Sequence, residues 1–141
     1  MSNDFPIIIH HNPACETSRN TLAMIRAAGY EPVVIEYLQT GWTRPQLDGL
    51  LAAMGARPRD ILRDKGTQAA KIGLLDPAVS GEAILDAMIA DPVLVNRPIV
   101  VTPEGIKLCR PSEVVLTLLD QRPAVFTKED GQVVQTFGKA P

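Results

Sequence analysis

The chain has 141 residues, 45% hydrophobic and 21% charged, proportions that suit one globular domain around a single core. Lys and Arg number 14 against 16 Asp and Glu, a formal net charge of −2, which excludes the basic excess of a general nucleic-acid binder. No apolar run approaches the roughly 20 residues that span a bilayer, so no membrane association is expected.

The opening MSNDFPIIIHH has no basic n-region and too short an apolar run for a signal peptide, so the expected location is the cytoplasm. Residues 6–10 read as a short buried strand. The segment SRNTLAMIRAA, 18–28, places Leu22, Ile25 and Ala28 at helical spacing, with Gly29 closing the helix. EPVVIEYL, 31–38, is apolar and β-branched and reads as a second strand; a strand–helix–strand unit of this kind should be parallel. A helical section follows. Thr43 is placed to cap a helix through about Met54, with Gln46 completing a capping box and Gly55 as the stop. A short helix is expected over Pro58–Arg63, and Ser80 is placed to cap another that runs to about Ala90 before Pro92. PIVVT, 98–102, and IKLCR, 106–110, read as an antiparallel hairpin joined at PEG. Pro111 suits the first turn of a helix over 111–120, and a weak helix near 127–137 has Thr127 as its cap. The expected fold class is α/β: a mixed sheet of βαβ then ββα order, as in thioredoxin-like thiol proteins, forming one domain over 1–141 with a helical insertion at about 43–91.

The chemistry concentrates at HHNPACETSRN, 10–20. Cys15 lies between a strand end and a helix N-terminus, where free N–H groups and the helix dipole stabilise an anion. A cysteine so placed can have its pKa lowered from about 8.5 to between about 3.5 and 7.5. Its polar neighbours Asn12, Glu16, Thr17 and Ser18 argue against inert packing. His11 and Arg19 could add positive charge, His11 as an imidazolium, and Ser18 could donate a hydroxyl hydrogen bond to the thiolate. His10 points to the opposite side of the strand and is given no role. The motif CETS has serine where a dithiol oxidoreductase has its second cysteine, so the thiol that completes a redox cycle is external or is the remote Cys109. A phosphatase loop of C-x5-R type is excluded, because position 21 is threonine. With no CxxC or HxxxH spacing, no metal site is expected. Arg97, before Pro98 at the start of the hairpin, and Arg110 at its end are candidates to bind a tetrahedral oxyanion, for which the planar guanidinium fork is suited. Arg97–Pro98 is also a candidate cis peptide.

The stretches HNPACETSRNTL, NRPIVVTPEG at 96–105 and LCRPSEVV at 108–115, with the segment MGARPRDILRDK at 54–65 and FTKEDG at 126–131, resemble the glutaredoxin-linked arsenate reductases over nearly the whole chain. The resemblance implies a thioredoxin-like fold with a helical insertion, a catalytic Cys15 assisted by His11 and Ser18, and an arsenate site formed by Arg63, Arg97 and Arg110. It also implies a cis Pro98 and no catalytic part for Cys109, whose bottom-up reading is packing on a strand. The implied reaction is attack of the Cys15 thiolate on arsenate, followed by reduction with glutathione as co-substrate and glutaredoxin as partner, with no bound cofactor. The alternative is a related thiol protein of the same superfamily with a different substrate or a regulatory role. One residue departs from the pattern: Glu16 follows the cysteine where glycine is expected. A Glu16 that points to solvent is favourable near the helix N-terminus, whereas one that faces the site would raise the Cys15 pKa; the first is the expectation.

Overall fold

The β-branched run at Ile7–Ile9 is the seed of the sheet. In the computed structural model, which describes residues 5–135, strand β1 spans Ile8–His11 and pairs in parallel with β2, Val33–Glu36. On its other edge β1 pairs antiparallel with β3, Ile99–Thr102, which pairs antiparallel with β4, Gly105–Leu108. The order β2-β1-β3-β4 is the mixed, thioredoxin-like arrangement expected from the element order. The chain divides into two compact units: one built from the chain up to Glu36 and from Arg97 onward, the other from Tyr37–Asn96.

In the first unit, helix α1, Glu16–Ala27, buries Ser18, Thr21, Met24 and Ile25, the face that the helical period predicts. Met24 and Ile25 join Ile7, Ile9, Val100, Val115, Leu116 and Leu118 in one core cluster. Side chains alternate along β1, so Ile9 and His11 share a face, and His11 reaches Ser18 on α1. The helix expected over 111–120 is a 3-10 stretch, Ser112–Leu118. Val114, Val115 and Thr117 disfavour the α form by β-branching, and the Thr117 hydroxyl donates to the Val114 carbonyl at 2.8 Å, a bond local to the tighter turn. Both Arg97–Pro98 and Arg110–Pro111 are cis; only the first was expected.

The weak helix expected near 127–137 is instead a hairpin, β5 Val125–Thr127 paired antiparallel with β6 Val133–Gln135. Residues 136 and 137 lie outside the described residues. The period is 2, not 3.6: Phe126 and Val134 pack on the core while Val125 and Val133 face outward. Gly131, at φ 91°, supplies the left-handed turn, which the Gly131 N–H closes on the Lys128 carbonyl at 2.9 Å.

In the Tyr37–Asn96 unit, the strand expected to reach residue 38 stops at Glu36, and Tyr37–Thr40 forms one helical turn, α2. The Tyr37 ring is buried beside Trp42, with centroids 5.2 Å apart, and its hydroxyl donates to the Val95 carbonyl at 2.9 Å. These contacts outweigh the strand propensity of the segment. Helix α3, Arg44–Met54, has the expected capping box between Thr43 and Gln46 and ends at Gly55 with φ 64°. A 3-10 turn covers Pro58–Ile61. Helix α4, Gly81–Ala90, starts at Ser80, whose hydroxyl oxygen accepts from the Ala83 N–H. Leu47, Leu50 and Leu51 of α3 and Ile84, Leu85 and Met88 of α4 are the buried faces. Among the described residues, no helix is long and apolar enough to cross a membrane.

His10 is 6% exposed, and burial lowers its pKa from 6.5 to about 4. A depressed folded-state pKa means the unfolded chain binds the proton more readily, so this stabilisation is complete above pH 6.5 and is lost as pH falls toward 4. Urea unfolding at pH 7 and pH 4 should show the wild type losing about 3 kcal/mol more than His10→Gln across that window. An equal loss in both proteins contradicts the burial argument.

Candidate active site

Residues 12–15, between β1 and α1, form a turn whose polar backbone is tied down locally. The Asn12 N–H donates to Ser18 Oγ at 3.1 Å, and Asn12 Oδ1 accepts from the Ala14 N–H at 2.9 Å. The Asn12 carbonyl accepts from the Cys15 N–H at 3.0 Å, and the Cys15 carbonyl from the Arg19 N–H at 2.9 Å. Pro13 has no N–H to satisfy. This network fixes Cys15 as the N-cap residue of α1, with φ −99° and ψ 121°. Its side chain therefore sits over the unpaired N–H groups of the first turn.

Burial pushes the Cys15 thiol up, since it penalises the charged form, but the donors around it win. The nearby Ser18 backbone N–H, the Arg97 and Arg110 side chains and the Arg97 charge bring its pKa below the ordinary thiol value. Arg110 Nη1 lies 3.8 Å from Cys15 Sγ and also donates to the Arg97 carbonyl at 2.9 Å. One guanidinium thus contacts the thiol and anchors the neighbouring arginine's backbone.

His11 Nδ1 is 2.7 Å from Ser18 Oγ. Burial lowers the His11 pKa most, with Glu36 opposing and Arg26 and Arg19 adding to the decrease. Glu36 is the register partner of His11 across the parallel strands. The net direction is away from the charged ring. Burial thus works against the imidazolium expected from the sequence, and the contact that the structure gives His11 with the site is its hydrogen bond to Ser18.

The first unit thus brings Cys15, Ser18, His11, Arg97 and Arg110 to one place at the end of β1. Arg63 belongs to the Tyr37–Asn96 unit, where its guanidinium donates to the Lys65 carbonyl at 3.1 Å and to Asn96 Oδ1 at 3.2 Å. Arg59 holds the carbonyls of Leu74, Asp76 and Val79, a structural use. Glu16 is exposed at the first position of α1, as its solvent-facing reading requires. Cys109 is fully buried, and burial pushes its thiol up to about 12. Sequence reasoning named Asn12 only as a polar neighbour; the Asn-Pro pair is a turn signal, but its three-fold use as the scaffold of the cysteine turn is visible only in three dimensions. Arg19 was read as a charge for the thiolate, yet it is engaged by Glu129. Among the described residues, no group of three or more His, Cys, Asp or Glu side chains is arranged to hold a metal.

The fold and site define a thioredoxin-like thiol protein with its cysteine at a helix N-cap beside two arginines. Comparison with known proteins narrows this class. The ArsC family profile matches residues 10–118. The chain is 57% identical over 129 residues to the Synechocystis protein named arsenate reductase ArsI2, covering 91% of this chain and 92% of that one. It is 50% identical over 141 residues to arsenate reductase of Escherichia coli K12, covering 99% and 98% of the two chains. Among solved structures, an arsenate reductase from Vibrio cholerae superposes with a TM-score of 0.77 at 36% identity, over 83% of this chain and all (100%) of the other. The chain belongs to the ArsC family.

Since Glu16 is exposed, Glu16→Gly should move the Cys15 pKa by no more than about half a unit. The pH dependence of iodoacetamide alkylation measures it, and a clearly larger drop would show that the carboxylate acts on the thiolate.

Proposed function

We propose that this protein reduces arsenate to arsenite through a covalent adduct on Cys15. The observation that carries the reading is the Cys15 thiol at the α1 N-cap, with Arg110 Nη1 3.8 Å from its sulfur and its pKa lowered by Ser18, Arg97 and Arg110. That arrangement holds a thiolate and offers guanidinium forks to an oxyanion. The names of the relatives and the family membership supply the substrate.

The Cys15 thiolate attacks arsenic, an S–As bond forms, and one arsenate oxygen leaves as water once protonated. Arg97 and Arg110 neutralise the remaining oxygens, electrostatic stabilisation of the kind that is commonly the largest catalytic contribution. The protonation of the leaving oxygen and the stability of the Cys15 thiolate draw on the Ser18 hydroxyl, which His11 orients. Glutathione is the co-substrate: its thiolate joins Cys15 in a disulfide, and the electron pair from the two sulfurs reduces arsenic from the pentavalent to the trivalent state. Arsenite leaves. Glutaredoxin then takes the glutathione from Cys15 by thiol–disulfide exchange and restores the thiol. External thiols are favoured because Ser18 stands where a resolving cysteine would, and because Cys109 is buried with its thiol pushed up to about 12. This cycle needs no bound cofactor or metal, and it suits the reducing cytoplasm.

Arsenate-dependent NADPH oxidation, coupled through glutathione, glutaredoxin and glutathione reductase, tests the reading. The wild type should turn over, Cys15→Ser should be inactive though folded, and Cys109→Ala should remain active. Arg63→Ala in the same assay tests the oxyanion role that the resemblance gives that residue, with a raised arsenate KM expected. Turnover by Cys15→Ser would remove the nucleophile assignment. No rate with any thiol donor, thioredoxin included, would favour a thiol protein of this superfamily with another substrate or a regulatory role.

A further inference from the structure

The Arg19 guanidinium spends all three of its nitrogens away from the thiol. Its Nε and Nη2 form a fork on the Glu129 carboxylate, at 2.8 and 2.9 Å, and its Nη1 donates to the Pro13 carbonyl at 2.9 Å. Glu129 sits at the tip of the β5–β6 hairpin, more than a hundred residues away in sequence, and that tip is fastened on both sides. Its backbone N–H donates to Oδ1 of the buried Asn20 on α1 at 3.0 Å. The preceding Lys128, only 9% exposed in its side chain, pairs with Glu113 at 2.6 Å. The turn itself is closed by the Lys128 N–H on the Gln132 carbonyl.

We propose that Glu129 and Arg19 form a clamp by which the C-terminal hairpin positions the Cys15 turn. The bonds made by the backbone of Asn12, Ala14 and Cys15 described above close within residues 12–19. Beside the Arg110 contact on the Cys15 sulfur, the Arg19 fork ties this turn to a distant part of the chain, and its third donor lands on the carbonyl two residues before the thiol. An exposed ion pair adds little to overall stability, and this one is 41% and 43% exposed in its side chains. Its geometry, a bidentate fork with a third N–H on the backbone, suits it to holding a conformation. Arg19 and Glu129 are positioning residues. The inference deepens the reading of Cys15 as the reactive thiol and rests on it.

The sign of one shift decides the matter. Glu129→Ala removes a negative charge that neutralises Arg19. If Arg19 acted on Cys15 only through its field, the variant would lower the thiol pKa. If the pair is a clamp, the turn loosens, the sulfur leaves its donors part of the time, and the pKa rises, by about half a unit or more. The pKa is read from the pH profile of iodoacetamide alkylation at Cys15, followed by mass spectrometry with no arsenate present. Glu129→Asp, which keeps a carboxylate, should recover most of the shift. Arg19→Lys, which keeps the charge without the fork, should behave like Glu129→Ala. Arsenate kcat/KM should fall roughly 10-fold in Glu129→Ala, as misplacement of a reacting group predicts. A lowered or unchanged thiol pKa in Glu129→Ala, or a wild-type profile in Arg19→Lys, overturns the clamp. A normal alkylation profile in a wild type that does not reduce arsenate would instead sink the reductase reading and leave the clamp test intact.

Discussion

A thiolate at the start of α1 exists only if the donors around it outweigh the cost of burying its charge. Cys15 is 9% exposed, and burial by itself favours the protonated thiol. The balance is reversed by the Ser18 backbone and by two guanidinium groups, each of which is placed by a different element. Ser18 is fixed by the first turn of α1, Arg97 leads into β3, and Arg110 follows β4. The register of β3 on β4 pairs Ile99 with Leu108, which sets Arg97 and Arg110 at the same end of the hairpin. The sheet order then brings that end beside β1, whose own end leads into the cysteine turn.

The two cysteines illustrate the same physics with opposite outcomes. Both are buried free thiols, so burial alone does not separate them. Cys109 lies in the apolar cluster with Ile9, Val100 and Val115, and its thiol makes a weak 3.7 Å contact to the Lys107 carbonyl, an acceptor that cannot stabilise an anion. Its thiol stays protonated. Cys15 meets the Ser18 backbone and the Arg97 and Arg110 guanidinium groups. Position relative to a helix terminus and to fixed guanidinium groups therefore decides which sulfur can react.

Much of this was legible in the residues. Helix α3 was readable to its ends because its signals are local: Thr43, Gln46 and Gly55 act within one turn of where they stand. The placement of Cys15 between strand and helix was readable for the same reason. The C-terminal hairpin was not, because Thr127 offers a plausible cap and the period-2 pattern of Val125–Thr127 and Val133–Gln135 is only three residues long on each side. The 3-10 form of Ser112–Leu118 was missed because Pro111 reads equally well as the opening of an α-helix. At the site, Cys15, Ser18 and His11 lie within one local segment, whereas Arg97 and Arg110 were candidates that only strand pairing could bring together. The downward push on the His11 pKa comes from burial, which sequence does not give. The bond from Arg19 to Glu129 spans the chain and left no local signal at all.

The central claim is that Cys15 is a stabilised thiolate because of its arginines and its turn. Its direct test is an ultraviolet titration of the thiolate in a Cys109→Ala background, with Arg110→Ala added as the comparison. The account predicts a midpoint clearly below the value of about 8.5 for an unperturbed thiol, and a return toward that value when Arg110 is removed. A midpoint at or above the unperturbed value, indifferent to Arg110, would contradict it.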